Sequence, residues 1–156
     1  MISKRRNARS KIVLAGNKIS RAIWSLANVA VAPGSIRARH FLGLALYKQG
    51  RLDEAIVEYR AAIEKSEGKY AEAHYNLGVA LLELARPDAA EQEFRLAIEQ
   101  EKTAWPEAQY NLAKALERQN RFRDAADAYE AYLRLAPDAA DAKTTREYID
   151  YLRRKK

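Results

Sequence analysis

Cysteine is absent from this sequence of 156 residues, and histidine occurs only twice, as His40 and His74. A chain without cysteine has no disulfide, no thiolate-bound metal, no iron–sulfur cluster and no cysteine nucleophile. Two histidines are also too few for a histidine-rich metal site. We therefore expect no metal and no cofactor, although the lack of cysteine does not fix the cellular compartment.

The common sequence motifs of catalysis are missing as well. The six glycines never cluster into a phosphate-binding loop, and neither a G-x-S-x-G nor an H-E-x-x-H pattern occurs. Carboxylates such as Glu91 and Glu93, close to Arg95 in sequence, are typical of a solvated helix face, so we interpret them as surface charge. The sequence thus predicts a protein that is not an enzyme.

No hydrophobic run approaches the roughly 18 residues that a membrane-spanning helix needs. The best candidate, residues 12–32, is interrupted by polar residues such as Asn17 and Arg21. A basic beginning, a modest apolar stretch and an A-V-A pattern at residues 30–32 leave a secretory signal, an organelle transit peptide and a retained amphipathic helix open. We expect a cytoplasmic protein. An exported, organelle-targeted or membrane-peripheral protein is the alternative if residues 1–32 act as a signal or anchor.

Acidic residues are missing from the first third of the chain, where the first one is Asp53. Residues 1–52 carry a net charge of +11, whereas residues 53–156 carry −4. Such asymmetry predicts an anionic partner for the N-terminal part: a lipid surface, a nucleic acid or an acidic protein. A solvated basic tail on a neutral domain explains the same charges. Nucleic acid is the weakest of these interpretations, because Trp24 alone could stack on bases.

What the chain does contain is a repeat of 35 residues. Leucines, small residues and aromatic residues recur in register across three copies, which is the sequence signature of a repeat architecture. The matching columns are Leu42, Leu77 and Leu112; Gly43, Gly78 and Ala113; Leu46, Leu81 and Leu116; Ala55, Ala90 and Ala125; and Tyr59, Phe94 and Tyr129. Each copy is predicted to form two short helices with a short loop, so consecutive helices should pack antiparallel.

Capping residues predict where these helices begin and end. We expect Ser35 to cap the first helix, and Gly50 to end it in a left-handed conformation. Asp53 is expected to cap the second helix, and Asp138 the last helix of the chain.

The repeated glycine has a physical explanation. A glycine inside a helix costs about 1 kcal/mol relative to alanine, so Gly43 and Gly78 should allow a compensating contact. We predict that Tyr59 and Phe94 of the paired helices fill the space that the missing side chains leave. In the third copy, Tyr129 is expected to take the same place.

These columns resemble the signature of the tetratricopeptide-repeat family, W-x2-L-G-x2-Y followed by A-x3-F and P. The second copy is especially close, because residues 73–78 read AHYNLG. The departures from the family pattern are the 35-residue spacing in place of 34, the missing tryptophan column, and Tyr132 where the other copies have Ala62 and Ala97. Tyr70 and Trp105 are the expected places of the extra residue.

The resemblance implies an all-α, right-handed superhelical solenoid. It predicts a basic, helical N-terminal segment at residues 1–35, three repeats at residues 36–70, 71–105 and 106–137, and a C-terminal capping helix at residues 138–156. Three stacked repeats suffice for a stable solenoid when both ends are covered.

In this family the concave surface is formed mainly by the first helix of each repeat, and it holds an extended peptide or a partner helix. The resemblance therefore implies a non-enzymatic adaptor, scaffold or assembly factor whose partner is another protein. Carried over to this sequence, the groove is lined by Arg37, His40, Phe41, Leu44, Tyr47, Lys48, Tyr75, Asn76, Val79, Tyr110, Asn111, Lys114 and Arg118. Asn76 and Asn111 could pair with the backbone of the ligand. In the alternative interpretation, Tyr75 and Tyr110 pack against neighbouring helices and do not contact a ligand.

Family members that bind chaperone tails hold the terminal carboxylate with Lys, Asn and Arg. Here only Asn76 matches that set, and the other positions carry His40, Leu44, Glu107 and Asn111. Because Glu107 would repel a carboxylate, we predict no clamp of this kind. The basic first copy favours an acidic or amphipathic segment instead. A peripheral membrane protein tethered by residues 1–32, and a nucleic-acid-binding protein using the same arm, are the alternatives.

Overall fold

The computed structural model describes residues 34–101 and 104–155. In these two ranges the chain forms seven α-helices and no strand. The helices are α1 (Ile36–Lys48), α2 (Leu52–Lys65), α3 (Ala71–Glu83), α4 (Pro87–Gln100), α5 (Pro106–Arg118), α6 (Phe122–Leu135) and α7 (Ala142–Arg154). The helix predicted within residues 1–35 lies outside the described residues, apart from the non-helical Gly34 and Ser35.

Consecutive helices pack as three hairpins, α1 with α2, α3 with α4 and α5 with α6. The second helix of each hairpin also packs against the helix that follows it, and α7 in this way covers the end of the stack. The first helices α1, α3 and α5 contact one another in order. This arrangement is an all-α solenoid, as the resemblance implied. Within the part of the chain that the structure describes, no helix has both the length and the hydropathy of a membrane span.

The repeated columns form the core of each hairpin. Tyr59 and Phe94 are fully buried, together with Leu77, Leu81, Leu116 and Leu152. A Cβ atom on Gly43 would lie 2.6 Å from Cε1 of Tyr59, and one on Gly78 would lie 2.7 Å from Cε1 of Phe94. These distances are shorter than any normal carbon contact, so the prediction that the two rings fill the space above the glycines is confirmed.

The start of α1 is capped as predicted. The Ser35 hydroxyl accepts a hydrogen bond from the Ala38 amide at 3.1 Å, which confirms the predicted cap of α1.

The turns that follow the first helices share one backbone conformation. Gly50 follows α1 with a φ of 76°, again as predicted. Ala85 and Asn120, which occupy the equivalent positions after α3 and α5, have φ values of 54° and 62°. The same left-handed turn is therefore built with three different residues.

The predicted cap of α2 is wrong. The helix begins at Leu52 with Arg51 as the N-cap residue, so Asp53 lies inside the first turn and makes no capping hydrogen bond. A carboxylate in the first turn still stabilises a helix, because it faces the positive end of the helix dipole.

The predicted cap of α7 is also wrong. Asp141, and not Asp138, precedes the helix, and its side chain does not bond the helix backbone. Two turns delay the start of α7: the Ala139 amide donates to the Ala136 carbonyl, and the Ala142 amide donates to the Ala139 carbonyl. Asp138 is part of these turns.

Candidate binding groove

The predicted groove residues all lie on the three first helices, α1, α3 and α5. Four are exposed: Arg37, Phe41, Lys48 and Arg118. Eight are half-buried: Leu44, Tyr47, Tyr75, Asn76, Val79, Tyr110, Asn111 and Lys114. His40 differs from the expectation, because it is 7% exposed and lies beneath the surface.

Hydrogen bonds join each first helix to the next at equivalent positions. The Asn76 amide nitrogen bonds Nε2 of His40 at 2.8 Å, and the Asn111 amide nitrogen donates to the hydroxyl of Tyr75 at 2.9 Å. Asn76 also donates to the Glu72 carbonyl at 2.9 Å. Both N–H groups of Asn76 are thus engaged within the protein, and its carbonyl oxygen is the atom that remains to meet a ligand.

His40 is held as a neutral ring. Because Asn76 can only donate to Nε2, the ring proton lies on Nδ1, which is 2.9 Å from the hydroxyl of Tyr70. Burial lowers the pKa of His40, against a smaller opposite effect of the Glu72 charge. His40 therefore supports the groove from below and is not a charged contact for a partner.

His74 is bonded differently, although it is buried too. Its Nδ1 lies 2.6 Å from the Glu93 carboxylate, and its Nε2 lies 3.1 Å from the Gly68 carbonyl. Burial alone would lower the pKa of His74, but the hydrogen bonds to Glu93 and Gly68 raise it. The interpretation of Glu91 and Glu93 as mere surface charge is wrong, because both are half-buried and paired. In residues 34–101 and 104–155, no cluster of His, Asp and Glu could hold a metal ion.

An aromatic ring at the following repeat boundary packs against one residue of α1 and one residue of α3. The Tyr70 ring lies 4.9 Å from the His40 ring, and the Trp105 ring lies 4.7 Å from the Tyr75 ring. Tyr70 and Trp105 are the N-cap residues of α3 and α5. These two residues therefore do more than lengthen the repeat, because they fix the side chains of the preceding first helix.

The third repeat departs from this arrangement. The N-cap residue of α7 is Asp141, so a carboxylate stands where the earlier boundaries have an aromatic ring. Tyr132 of α6 supplies the ring instead, with its centroid 5.2 Å from that of Tyr110. Its hydroxyl donates to Asp141 at 2.6 Å, and this bond is the main reason that the pKa of Tyr132 is raised to about 12. Tyr132, a departure from the family pattern, thus substitutes for the missing boundary aromatic.

A concavity of about 360 Å³ lies at the α5 end of the groove. Its walls come from α3, α5, α6 and the turn before α7. The lining residues are Tyr75, Pro106, Glu107, Tyr110, Asn111, Tyr132, Ala136, Ala139 and Asp141. We call this the tyrosine pocket. Six of its members are not among the groove residues that the sequence predicted: Pro106, Glu107, Tyr132, Ala136, Ala139 and Asp141.

Charge changes along the row of first helices. Arg37 and Lys48 of α1 are exposed, whereas Glu107 lies at the beginning of α5 and Asp141 before α7. Some charged groups between them have partners inside the protein. The Tyr47 hydroxyl donates to Glu83, Arg118 donates to the Leu82 carbonyl at 2.5 Å, and the Lys114 ammonium lies 5.8 Å from the Tyr110 ring. The α1 end therefore carries exposed basic groups, and acidic and aromatic groups meet where α5 begins.

Three family models match the chain. A TPR repeat model matches residues 43–84, and two tetratricopeptide-repeat models match residues 71–103 and 106–139. Among curated protein sequences, none matches significantly.

Solved structures with the same fold include domains from quite different proteins. The Arabidopsis OM64 TPR domain is 28% identical, with a TM-score of 0.68, over 74% of this chain and 94% of that domain. The first TPR of Spaghetti (RPAP3), bound to the HSP90 peptide SRMEEVD, is 22% identical over 76% and 94% of the two chains, with a TM-score of 0.69. MamA is 20% identical over 86% and 83%, with a TM-score of 0.68. The last two likenesses establish the fold alone.

Proposed function

Because this chain belongs to the tetratricopeptide-repeat family, we propose that it is a non-enzymatic interaction module that binds a segment of a partner protein along α1, α3 and α5. The segment is an extended peptide or an amphipathic helix, and the module serves as an adaptor, scaffold or assembly factor. One observation carries this proposal: the first helices present half-buried aromatic side chains that internal contacts already hold in place.

The tyrosines of this row suit the role of interface anchors. Tyr47 is bonded to Glu83, Tyr75 is bonded to Asn111, and Tyr110 is packed edge-on against Tyr129 at 5.3 Å. Tyrosine is enriched among the residues that contribute most to protein interfaces. A side chain that is fixed before binding loses little conformational entropy on binding, so these rings can stabilise a complex efficiently.

Asn76 contributes a directional contact. Its two N–H groups are engaged by His40 and the Glu72 carbonyl, so its carbonyl oxygen accepts a hydrogen bond from the ligand. A backbone N–H of an extended peptide is the donor that fits, because a peptide in extended conformation has amide groups without internal partners. Asn76 is proposed to set the register of the bound segment.

Photo-crosslinking from two valines tests the groove. Val79 is half-buried on α3, in the proposed groove, whereas Val57 is 62% exposed on α2 and lies outside the proposed groove. A benzophenone amino acid at position 79 should cross-link a partner segment in cell extract, and mass spectrometry should place the adduct in that segment. The same group at position 57 is the matched control. Equal adducts at both positions, or adducts at position 57 alone, would refute the groove.

A chaperone tail is not the expected ligand. The RPAP3 domain was solved with the HSP90 peptide SRMEEVD, but in this chain Glu107 stands where the family's carboxylate clamp has a basic residue. Isothermal titration with that peptide should give no binding tighter than about 10 μM. Tighter binding that is lost in Asn76→Ala would show that a clamp exists in another form.

The second candidate function is attachment to an anionic membrane surface. It is favoured by the seven Lys and Arg residues and the absence of acidic residues within residues 1–32. Full-length protein should then co-sediment with vesicles that contain phosphatidylserine, and not with phosphatidylcholine vesicles. Replacement of the seven basic residues by glutamine should abolish the difference. Equal sedimentation with both vesicles would contradict this candidate.

A further inference from the structure

We propose that the tyrosine pocket receives a lysine or arginine side chain of the bound partner segment. This inference rests on the proposed function, because it names the chemistry that one end of the groove recognises. It differs from the sequence-based expectation, in which the whole groove favours an acidic or amphipathic segment.

Aromatic rings form the walls of the pocket. Tyr110 and Tyr132 meet nearly edge to face, with an interplanar angle of 68°, and Tyr75 is packed on Trp105 on the α3 side. The face of an aromatic ring is electrostatically negative, so an ammonium or guanidinium group is attracted to it. The apolar stem of a lysine or arginine also packs well against such rings.

Two carboxylates belong to the same walls. Glu107 lies in the first turn of α5, and Asp141 lies before α7. Asp141 accepts the Tyr132 hydrogen bond on one oxygen at 2.6 Å, while its second oxygen is 3.4 Å from the Thr145 hydroxyl. The carboxylate is thus oriented by its neighbours and still able to pair with a cation. Among the described residues that line the pocket, none is Lys or Arg.

One cation of the groove, Lys114, lies one turn along α5 from Tyr110. Its ammonium group lies 5.8 Å from the Tyr110 ring centroid, and Lys114 is not a lining residue of the pocket. An ammonium group is therefore already found beside one of these rings. A cationic side chain of the partner can add contacts to Tyr75, Tyr132 and the two carboxylates.

Charge complementarity also excludes the opposite occupant and gives the ligand a direction. An acidic side chain in the pocket would face Glu107 and Asp141, and none of the lining residues is basic. At the other end of the row, Arg37 and Lys48 attract acidic groups. A partner segment with acidic residues at one end and a lysine or arginine at the other would bind in one orientation only, with its basic residue toward α7.

The test uses small probes on the full-length protein. The probes are the N-acetyl, N-methylamide derivatives of lysine, arginine, norleucine and glutamate, and the signals are the ring resonances of 13C-labelled tyrosine. The lysine and arginine probes should shift the signals of Tyr75, Tyr110 and Tyr132, whereas norleucine and glutamate should not. Norleucine is the matched control, because it has the stem of lysine without the charge.

Charge-removing variants complete the test. Glu107→Gln and Asp141→Asn should each weaken binding of the lysine probe about twofold to fivefold, the range expected for one exposed ionic contact. Glu147→Gln, at an exposed position on α7 outside the pocket, should leave it unchanged. If Asp141→Asn lowers the melting temperature strongly, the binding result of Glu107→Gln alone tests the inference, because Glu107 is exposed.

The inference would be overturned by equal shifts with norleucine and lysine, or by lysine shifts that persist undiminished in Glu107→Gln. Absence of any shift with lysine and arginine would overturn it as well. These failures are distinguishable from a failure of the groove itself. If partner adducts form at position 79 but the cationic probes do not bind the tyrosine pocket, the proposed groove is still supported. Only the assignment of its α5 end is then refuted.

Discussion

The first two repeats and the third repeat build the same hairpin in different ways. In the first two, a tyrosine or phenylalanine fills the space above a glycine, and an aromatic N-cap residue supports the first helix from the following boundary. In the third, Ala113 replaces the glycine and Tyr132 replaces the boundary aromatic. The same hairpin therefore forms with different side chains. The space between its two helices must be filled, and an aromatic ring from a neighbouring element must pack on the first helix.

An ion pair between the two helices of a hairpin shows the same contrast. Arg39 on α1 pairs with Glu58 at 2.9 Å, and at the equivalent positions of the second repeat His74 pairs with Glu93 at 2.6 Å. The third repeat has Gln109 and Ala128 at these positions, so the pair is lost. The exchange of an ion pair for uncharged residues indicates that this pair tunes the stability of individual repeats and is not needed for the fold.

The largest effect should come from filling the space above a glycine. Gly78→Leu should lower the free energy of unfolding by roughly 1–3 kcal/mol, because Phe94 already occupies the place of the new side chain. Urea denaturation followed by circular dichroism measures the change. Val57→Leu, at an exposed position on α2, is the control. Wild-type stability of Gly78→Leu would show that the ring moves aside at no cost, and the glycine would then need another explanation.

Removal of the substitute ring should have the next largest effect. Tyr132→Ala should cost about 1–2 kcal/mol, because the contact with Tyr110 and the hydrogen bond to Asp141 are both lost. Trp105→Ala should cost a similar amount at the second boundary, since the two rings have equivalent roles. Thermal denaturation of both variants tests the equivalence. A harmless Tyr132→Ala beside a damaging Trp105→Ala would mean that the third repeat needs no boundary ring.

A glycine in the turn that follows α3 should stabilise the protein. Ala85 has a φ of 54°, a conformation that costs a residue with a Cβ atom roughly 1–2 kcal/mol. Ala85→Gly should therefore raise the free energy of unfolding by about 1 kcal/mol. Asn120→Gly should gain less, because asparagine adopts left-handed conformations more readily than alanine. A gain at Asn120 equal to that at Ala85 would contradict this explanation.

The two histidines should respond to pH in opposite directions, with effects of up to about 1 kcal/mol. Despite the opposing effect of burial, the bonds to Glu93 and Gly68 raise the pKa of His74, so its contribution is complete below the unfolded value of about 6.5 and is lost as the pH rises through the folded pKa. Burial lowers the pKa of His40, so its neutral form stabilises the fold above about 6.5, and acid removes this contribution.

Denaturation of His40→Gln and His74→Gln from about pH 5.5 to about pH 8.5 measures both effects. The stability difference between wild type and His74→Gln should shrink as the pH rises. The difference between wild type and His40→Gln should grow over the same range. Parallel pH profiles for the two variants would mean that the two rings share one protonation state.

Much of the fold was predictable from the sequence, since the 35-residue columns depend on contacts within a hairpin that are repeated three times. The glycine and its ring, the Ser35 cap and the left-handed exit at Gly50 are all local features with strong residue preferences. The caps of α2 and α7 were not predictable in this way. Asp53 and Asp138 are good capping residues, but the turns before each helix decide where the first free amide groups lie.

The proposed groove was less predictable than the fold. Sequence reasoning named Tyr75, Tyr110 and Asn111, but it placed His40 on the surface and left Tyr132 and Asp141 out. The available signal was the exchange at position 132, where the other copies have Ala62 and Ala97. An alanine that becomes a tyrosine in one copy must meet a different neighbour there, but the sequence alone does not say which one.

The sequence by itself determined the hairpins, because helix periodicity, glycine–ring pairs and turn residues act over fewer than about 35 residues. Only the tertiary structure decided which side chains the stacked hairpins bring together: the neutral His40 beneath Asn76, the His74–Glu93 pair, and three tyrosines around Glu107 and Asp141. These contacts depend on the packing between neighbouring helices. A shift of an ångström in that packing would rearrange the hydrogen bonds while leaving the sequence pattern unchanged.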